Sequence, residues 1–134
     1  MSSRRMDAST RAIVRSRAKD RCEYCQRSQV DSPLIPLHIE HAIPRKHGGT
    51  DDEDNLALAC PECNLHKGTD LTGIDPDSGA VTPLFHPRRN GWEEHFTWSG
   101  LRIVGVSAIG RTTVRVLQLN SAARLRVRLA TWSK

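Results

Sequence analysis

The only four cysteines of this chain stand as two pairs of identical spacing, Cys22-Glu23-Tyr24-Cys25 and Cys60-Pro61-Glu62-Cys63, with residues 26–59 between them. Two residues between cysteines let both sulfurs of a pair turn toward one ion. Two such knuckles therefore offer four thiolates to a closed tetrahedral site that leaves no position open for a substrate. A structural zinc is expected at Cys22, Cys25, Cys60 and Cys63, with iron in a rubredoxin-like site as the alternative. The need for such a staple follows from size. A chain of 134 residues that is 37% hydrophobic fits one domain with a modest core and little stability to spare for unsupported loops.

Free thiols point to a reducing compartment rather than to disulfides, and the cytoplasm is the expected location. No stretch approaches the roughly 18 to 20 apolar residues that cross a bilayer, and the start, Met1 to Asp7, lacks the apolar run of a secretory signal. Lys and Arg number 20 against 15 Asp and Glu, a net charge of +5 that suits a polyanionic partner without proving one.

Residues 9–21 read as a helix with Ile13, Val14 and Ala18 as its apolar stripe. Ser32-Pro33 breaks the chain, and Leu34 to Ile43 reads as a β segment bounded by Pro44 and the Gly48-Gly49 turn. The acidic run Asp51 to Asp54 suits the positive end of a short helix over Asn55 to Ala59. Pro61 is placed to open another helix, which carries Asn64, His66 and Lys67 and ends at Gly68. Farther on, residues 75–79 form a turn, and residues 96–106 a hairpin around Ser99-Gly100. Two helices follow, at about 109–119 and 122–132. The second sets Ala122, Leu125, Leu129 and Trp132 on one face. The whole is an α+β chain, with 1–72 as a metal-stapled core and 73–134 as a C-terminal extension packed on it.

Between and after the knuckles run Ile39-Glu40-His41-Ala42-Ile43-Pro44, Gly48-Gly49, Asn55-Leu56 and Cys60-Pro61-Glu62-Cys63-Asn64-Leu65-His66-Lys67-Gly68. This series resembles the HNH endonuclease motif, in which a β hairpin and a helix clasp one catalytic divalent ion, the ββα-metal arrangement. The resemblance implies that His41 is the general base and Glu40 a ligand of the catalytic ion, Mg²⁺ or Mn²⁺. It implies that Asn55 holds the hairpin loop and so orients His41. Asn64 takes the last motif position, a metal ligand that the family fills with His or Asn. The Cys-Asn-x-x-Lys-Gly run makes Lys67 a phosphate contact, and Arg45 and Lys46 flank the same site as phosphate contacts or as solvated charges.

The residue types suit the chemistry implied. Hydrolysing a phosphodiester needs a base that works near neutral pH, and an unperturbed imidazole titrates at about 6.5. A hard cation held by oxygen ligands supplies the positive charge. The geometry imposes one condition: neighbouring residues on a regular strand face opposite sides, so the strand must end or bulge at Glu40-His41. His38 reads as a half-exposed strand residue or a neighbour of the metal, and His47 as a loop residue facing solvent or DNA. His66 has three readings, as metal ligand, phosphate contact or surface residue.

Leu84-Phe85-His86-Pro87-Arg88, Trp92-Glu93-Glu94-His95-Phe96 and Ile109-Gly110-Arg111-Thr112-Thr113 resemble an extension found after the motif in one bacterial HNH subgroup. Trp92, Trp98 and Trp132 read as core or interface anchors rather than base-stacking platforms. The pairs Arg111/Arg115 and Arg124/Arg128, spaced four apart, are open to two readings, a phosphate-facing strip or a wet helix face. The expected partner is duplex DNA, not a membrane or a small-molecule substrate, and a homodimer would permit paired cuts. Against the nuclease stands a non-catalytic zinc module that binds DNA or protein.

Overall fold

Asp7 starts the first helix of the computed structural model, which describes residues 6–132. Its carboxylate accepts the Thr10 amide at 2.8 Å and caps α1 (Ala8–Ala18). The residues before Met6, part of the start expected to lack a secretory signal, lie outside the described range. The helix stops at Ala18, short of the expected Arg21. Lys19 and Asp20 both turn left-handed there, at φ 56° and 51°, and swing the chain into the first knuckle. Val14 is fully buried, whereas Ile13 of the expected stripe is largely exposed. Arginines do much of the docking: Arg15 donates to the Leu37 carbonyl at 3.0 Å and Arg17 to that of Leu56 at 2.6 Å.

The expected strand from Leu34 to Ile43 is shorter than read. Only β1 (His38–His41) pairs, antiparallel with β2 (Leu56–Ala59), in the register His38 to Ala59 through His41 to Leu56. Leu34 lies almost wholly exposed in the turn after Ser32. The helix expected over Asn55 to Ala59 is instead β2, preceded by a single tight turn at Glu53–Asn55. All four β2 residues are buried, so the run has no polar face and no period by which strand and helix could be told apart.

Cys60 caps α2 (Pro61–Lys67), its sulfur facing the Cys63 amide, with Pro61 at the helix start and Gly68 at φ 51° beyond its end. Thus β1, β2 and α2 follow one another as a ββα unit.

In the second half, β3 (Thr72–Ile74) and β4 (Val81–Pro83) pair around the expected turn. Buried Asp75 organises that turn. Its carboxylate accepts the Asp77 amide, the Ser78 hydroxyl and both arms of Arg111, the last two at 3.0 Å each. A short helix α3 (Trp92–His95) leads into the expected hairpin, β5 (Phe96–Ser99) with β6 (Arg102–Gly105). Next comes α4 (Ala108–Val116), capped by Ser107. Gly110 lies so close to α3 that a Cβ there would meet the His95 carbonyl oxygen at 1.9 Å. The chain closes with α5 (Ala122–Trp132), over the range expected.

One hydrophobic cluster runs through both halves, joining Val14, Tyr24 and Leu56 to Ala59 with Phe85, Phe96, Ile103, Leu117 and Leu119. Each large side chain removed from water contributes about 1.5–3 kcal/mol. Trp92 stacks near Phe96 and Trp98, at centroid distances of 5.1 and 5.7 Å, and Trp98 meets Trp132 edge-on at 4.8 Å. Among the described residues no helix is long and apolar enough to cross a membrane.

Candidate metal centre and catalytic cleft

The fold brings the two knuckles together. The sulfurs of Cys22, Cys25, Cys60 and Cys63 all lie within 4.8 Å of one another, and all four residues are buried. Cys25 and Cys60 stand 3.7 Å apart, far beyond a disulfide. A tetrahedral zinc with bonds of about 2.3 Å sets its sulfurs about 3.8 Å apart, so the spacing matches a tetrathiolate centre. Zinc is the ion this donor set and geometry suit.

The knuckles are held from several sides. The Glu23 amide donates to Leu58, and its carboxylate accepts the Leu58 amide at 2.9 Å while pairing with Arg88. Desolvation pulls the Arg88 guanidinium down to about 10. The Trp92 indole donates to the Tyr24 carbonyl at 2.8 Å, a second tie from the C-terminal half.

Beside this centre, β1 ends at His41, and that ending resolves the facing problem of neighbouring strand residues. Glu40, His41 and Asn64 together line one open cleft of about 340 Å³, with Ile39, Pro44, Arg45 and Gly68. The His41 ring is partly exposed, and its Nε2 lies 2.7 Å from Asp51 Oδ1. The bond to His41 and the nearby Arg45 guanidinium hold the Asp51 carboxyl below its usual range.

Asn55 is buried across the loop from β1 to β2. Its oxygen accepts the Ile43 amide at 2.8 Å, and its nitrogen donates to the Ile43 and Thr50 carbonyls at 3.0 and 2.9 Å. The loop is tight enough that a Cβ on Gly49 would meet the Ile43 oxygen at 1.6 Å. These contacts set where the chain leaves His41.

Glu40 is only 6% exposed. Burial raises the pKa of its carboxyl, and the Lys67 ammonium, 3.5 Å from Oε2, opposes that shift. Its other oxygen, Oε1, is buried and meets no partner at hydrogen-bond geometry among the described residues, while the neighbouring Tyr24 hydroxyl acts on the same carboxyl and helps to hold its pKa down. The Glu40 carboxyl, an exposed asparagine amide and an imidazole lining one cleft form a donor set that suits a hard divalent ion keeping part of its water shell. The cysteines are the one cluster of three or more His, Cys, Asp or Glu ligands among the described residues, and it does not include Glu40 or His41.

Several basic residues sit elsewhere than their sequence positions suggest. Lys67 is 2% exposed and donates to the His41 carbonyl at 3.3 Å, so its ammonium serves Glu40 and the strand end instead of an open phosphate surface. Arg45 is exposed yet bonded to Asp51 at 2.8 Å, and Lys46 is exposed. Arg111 is committed to Asp75 and Asp77, while Arg124 and Arg128 are buried, so neither a phosphate strip nor a wet face describes these three. Arg115 is exposed. The inward face of α5 is consequently the arginine face, with Leu129 and Trp132 substantially exposed.

His38 is exposed at the start of β1, His47 contacts the Thr69 carbonyl at 3.0 Å, and His66 is half-buried on α2. None of the three lines the cleft. Asp51 and Tyr24 are the site residues that sequence reasoning missed. Asp51 lay in a run of acids assigned to a helix end, and Tyr24 lay hidden inside a knuckle.

Residues 22–70 match the family model described as HNH endonuclease. The matched segment spans both cysteine pairs, Glu40, His41, Asn55, Asn64 and Lys67. Comparisons with curated proteins and with solved structures gave no match.

Proposed function

We propose that the chain is a metal-dependent endonuclease that hydrolyses phosphodiester bonds of DNA, with duplex DNA as substrate and His41 as the base that activates water. The observation that carries this reading is the cleft itself. An imidazole tied to Asp51 lines the same cleft as the Glu40 carboxyl and the exposed Asn64 amide.

A neutral imidazole whose one nitrogen donates to a carboxylate leaves its other nitrogen to accept a proton. Asp51 thereby selects the tautomer of His41 and steadies the imidazolium that proton transfer creates. Glu40 and Asn64 would hold a Mg²⁺ or Mn²⁺ ion, whose positive charge supports the crowded phosphate and the departing oxygen. Asn55 keeps the loop in register, so that the exit from β1 holds His41 against the cleft. Exposed Arg45 and Lys46 border the cleft, where cations bind backbone phosphates without reading sequence. We place the protein in a reducing compartment, the cytoplasm, where a tetrathiolate centre persists.

One observation favours a second reading, a non-catalytic zinc module. Lys67 already supplies Glu40 with a cation at 3.5 Å, as a retired metal site would require.

A plasmid-nicking assay separates the two, using zinc-loaded protein and its His41→Ala variant with Mg²⁺, Mn²⁺ or EDTA. Cleavage that needs both the ion and His41 is the expected result. Absence of cleavage by folded protein with either ion overturns the nuclease reading.

A further inference from the structure

Two buried arginines stand one helical turn apart on α5, and they are used differently. Arg124 Nη1 donates to Cys63 Sγ at 3.1 Å and lies 4.0 Å from Cys60 Sγ, while Nη2 donates to the Leu117 carbonyl at 2.8 Å. Its Nε is 3.7 Å from Glu62, a residue between those two cysteines. Arg128 goes to oxygen: the carbonyls of Leu119 and Leu101 at 2.6 and 3.0 Å, and Asn120 Oδ1 at 3.3 Å.

Four thiolates around one Zn²⁺ leave a net charge of about −2, from the formal charges of ligands and ion. Burying that charge is costly unless donors and a countercharge surround it. The backbone supplies two donors without formal charge, the Cys25 amide to Cys22 Sγ at 3.5 Å and the Cys63 amide to Cys60 Sγ at 3.4 Å, and so leaves the net charge uncompensated. Arg124 is the one charged side chain among the described residues that donates to these sulfurs. It comes from outside the matched segment 22–70, across the chain from the ligands.

We propose that Arg124 is the outer countercharge of the tetrathiolate centre, which makes α5 a part of the metal site. The inference rests on a metal at the four cysteines and is independent of any nuclease activity. Arg124 satisfies sulfur lone pairs, fixes the second knuckle through Cys63 and Cys60, and links the occupied metal to the docking of α5.

The test uses the full zinc-loaded chain with R124M and R128M, and follows zinc transfer to a competing chromogenic chelator. R124M is expected to lose about 10-fold or more in zinc affinity, the usual range for an outer-shell partner, with R128M close to the parent. Parent-like zinc retention by R124M overturns the proposal, and so does an equal loss in R128M, which would assign the effect to helix packing or to positive charge on α5 in general instead of to the contact with sulfur. If R124M does not fold, R124Q, which removes the charge and keeps a polar side chain, is loaded with Co²⁺ in place of zinc. A shift of the thiolate-to-metal charge-transfer band against the parent supports the proposal, and an unchanged band overturns it.

Discussion

Nε2 of His41 and Nη2 of Arg45 meet on the same oxygen of Asp51, at 2.7 and 2.8 Å. One carboxylate thus ties the proposed base to a cation at the rim of the cleft. General-base catalysis contributes about 10²- to 10⁴-fold, so His41→Ala is expected to lose activity in that range with zinc content unchanged. Asp51→Asn is expected to lower kcat by a smaller factor, because the base remains while its orientation loosens. Parent-rate cleavage by His41→Ala would show that the base lies elsewhere.

Asn55 satisfies two carbonyls and one amide in a buried loop. Asn55→Ala removes all three bonds, at about 1 kcal/mol each, for a loss of about 2–4 kcal/mol. Denaturant unfolding of the zinc-loaded variant measures it. A loss below 1 kcal/mol would mean that water replaces the amide without penalty.

Lys67 and Glu40 form a pair in which both side chains are nearly closed to solvent. Lys67→Met leaves a buried carboxylate uncompensated and is expected to destabilise the protein by about 3–5 kcal/mol. The double variant Glu40→Gln with Lys67→Met should recover much of that. A double variant no more stable than Lys67→Met alone would place the effect in packing.

Asp75 provides a test by pH. Its Arg111 fork holds the carboxyl well below the ordinary value of 3.8. A depressed folded pKa stabilises the fold above the unfolded value, and that contribution is lost as pH falls through the folded one. The difference in melting temperature between parent and Asp75→Asn should therefore be full above about pH 5 and shrink toward pH 2. A difference that does not change with pH would rule out the ion pair as its source.

Metal removal should be felt throughout the fold, because the cysteines sit inside the hydrophobic cluster that joins both halves. A strong chelator is expected to abolish the cooperative unfolding transition, with loss of helical circular dichroism tracking zinc release. A metal-free chain that still melts as the loaded one does would demote the centre to an accessory.

Features written in short spacings were legible from the chain alone. Two residues between cysteines, a proline after Cys60 and a glycine after Lys67 gave the metal centre and α2, with bounds Pro61–Lys67. The turn at Asp75 to Gly79 and the hairpin at Ser99-Gly100 are equally local. β2 was not legible, since Leu56 to Ala59 are buried on both faces and carry no period. Charged partners were hidden for a different reason. The Lys67–Glu40 pair, the Asp51–His41 bond and the Arg124–Cys63 contact join residues whose side chains meet only once the chain has folded. An arginine on a helix reads as solvated until a buried acceptor is known, and here the acceptors are sulfur and free carbonyls.

The shared core bears on how such a domain travels between proteins. Phe85, Phe96, Leu117 and Leu119 lie in the same cluster as the knuckles, and the Trp92 indole caps a carbonyl inside the first of them. A cut after residue 72 would strip the ββα unit of one wall of its interior. The HNH segment is thus a poor cassette for grafting, and the residues that follow it are inherited with it or the unit is rebuilt around a new wall.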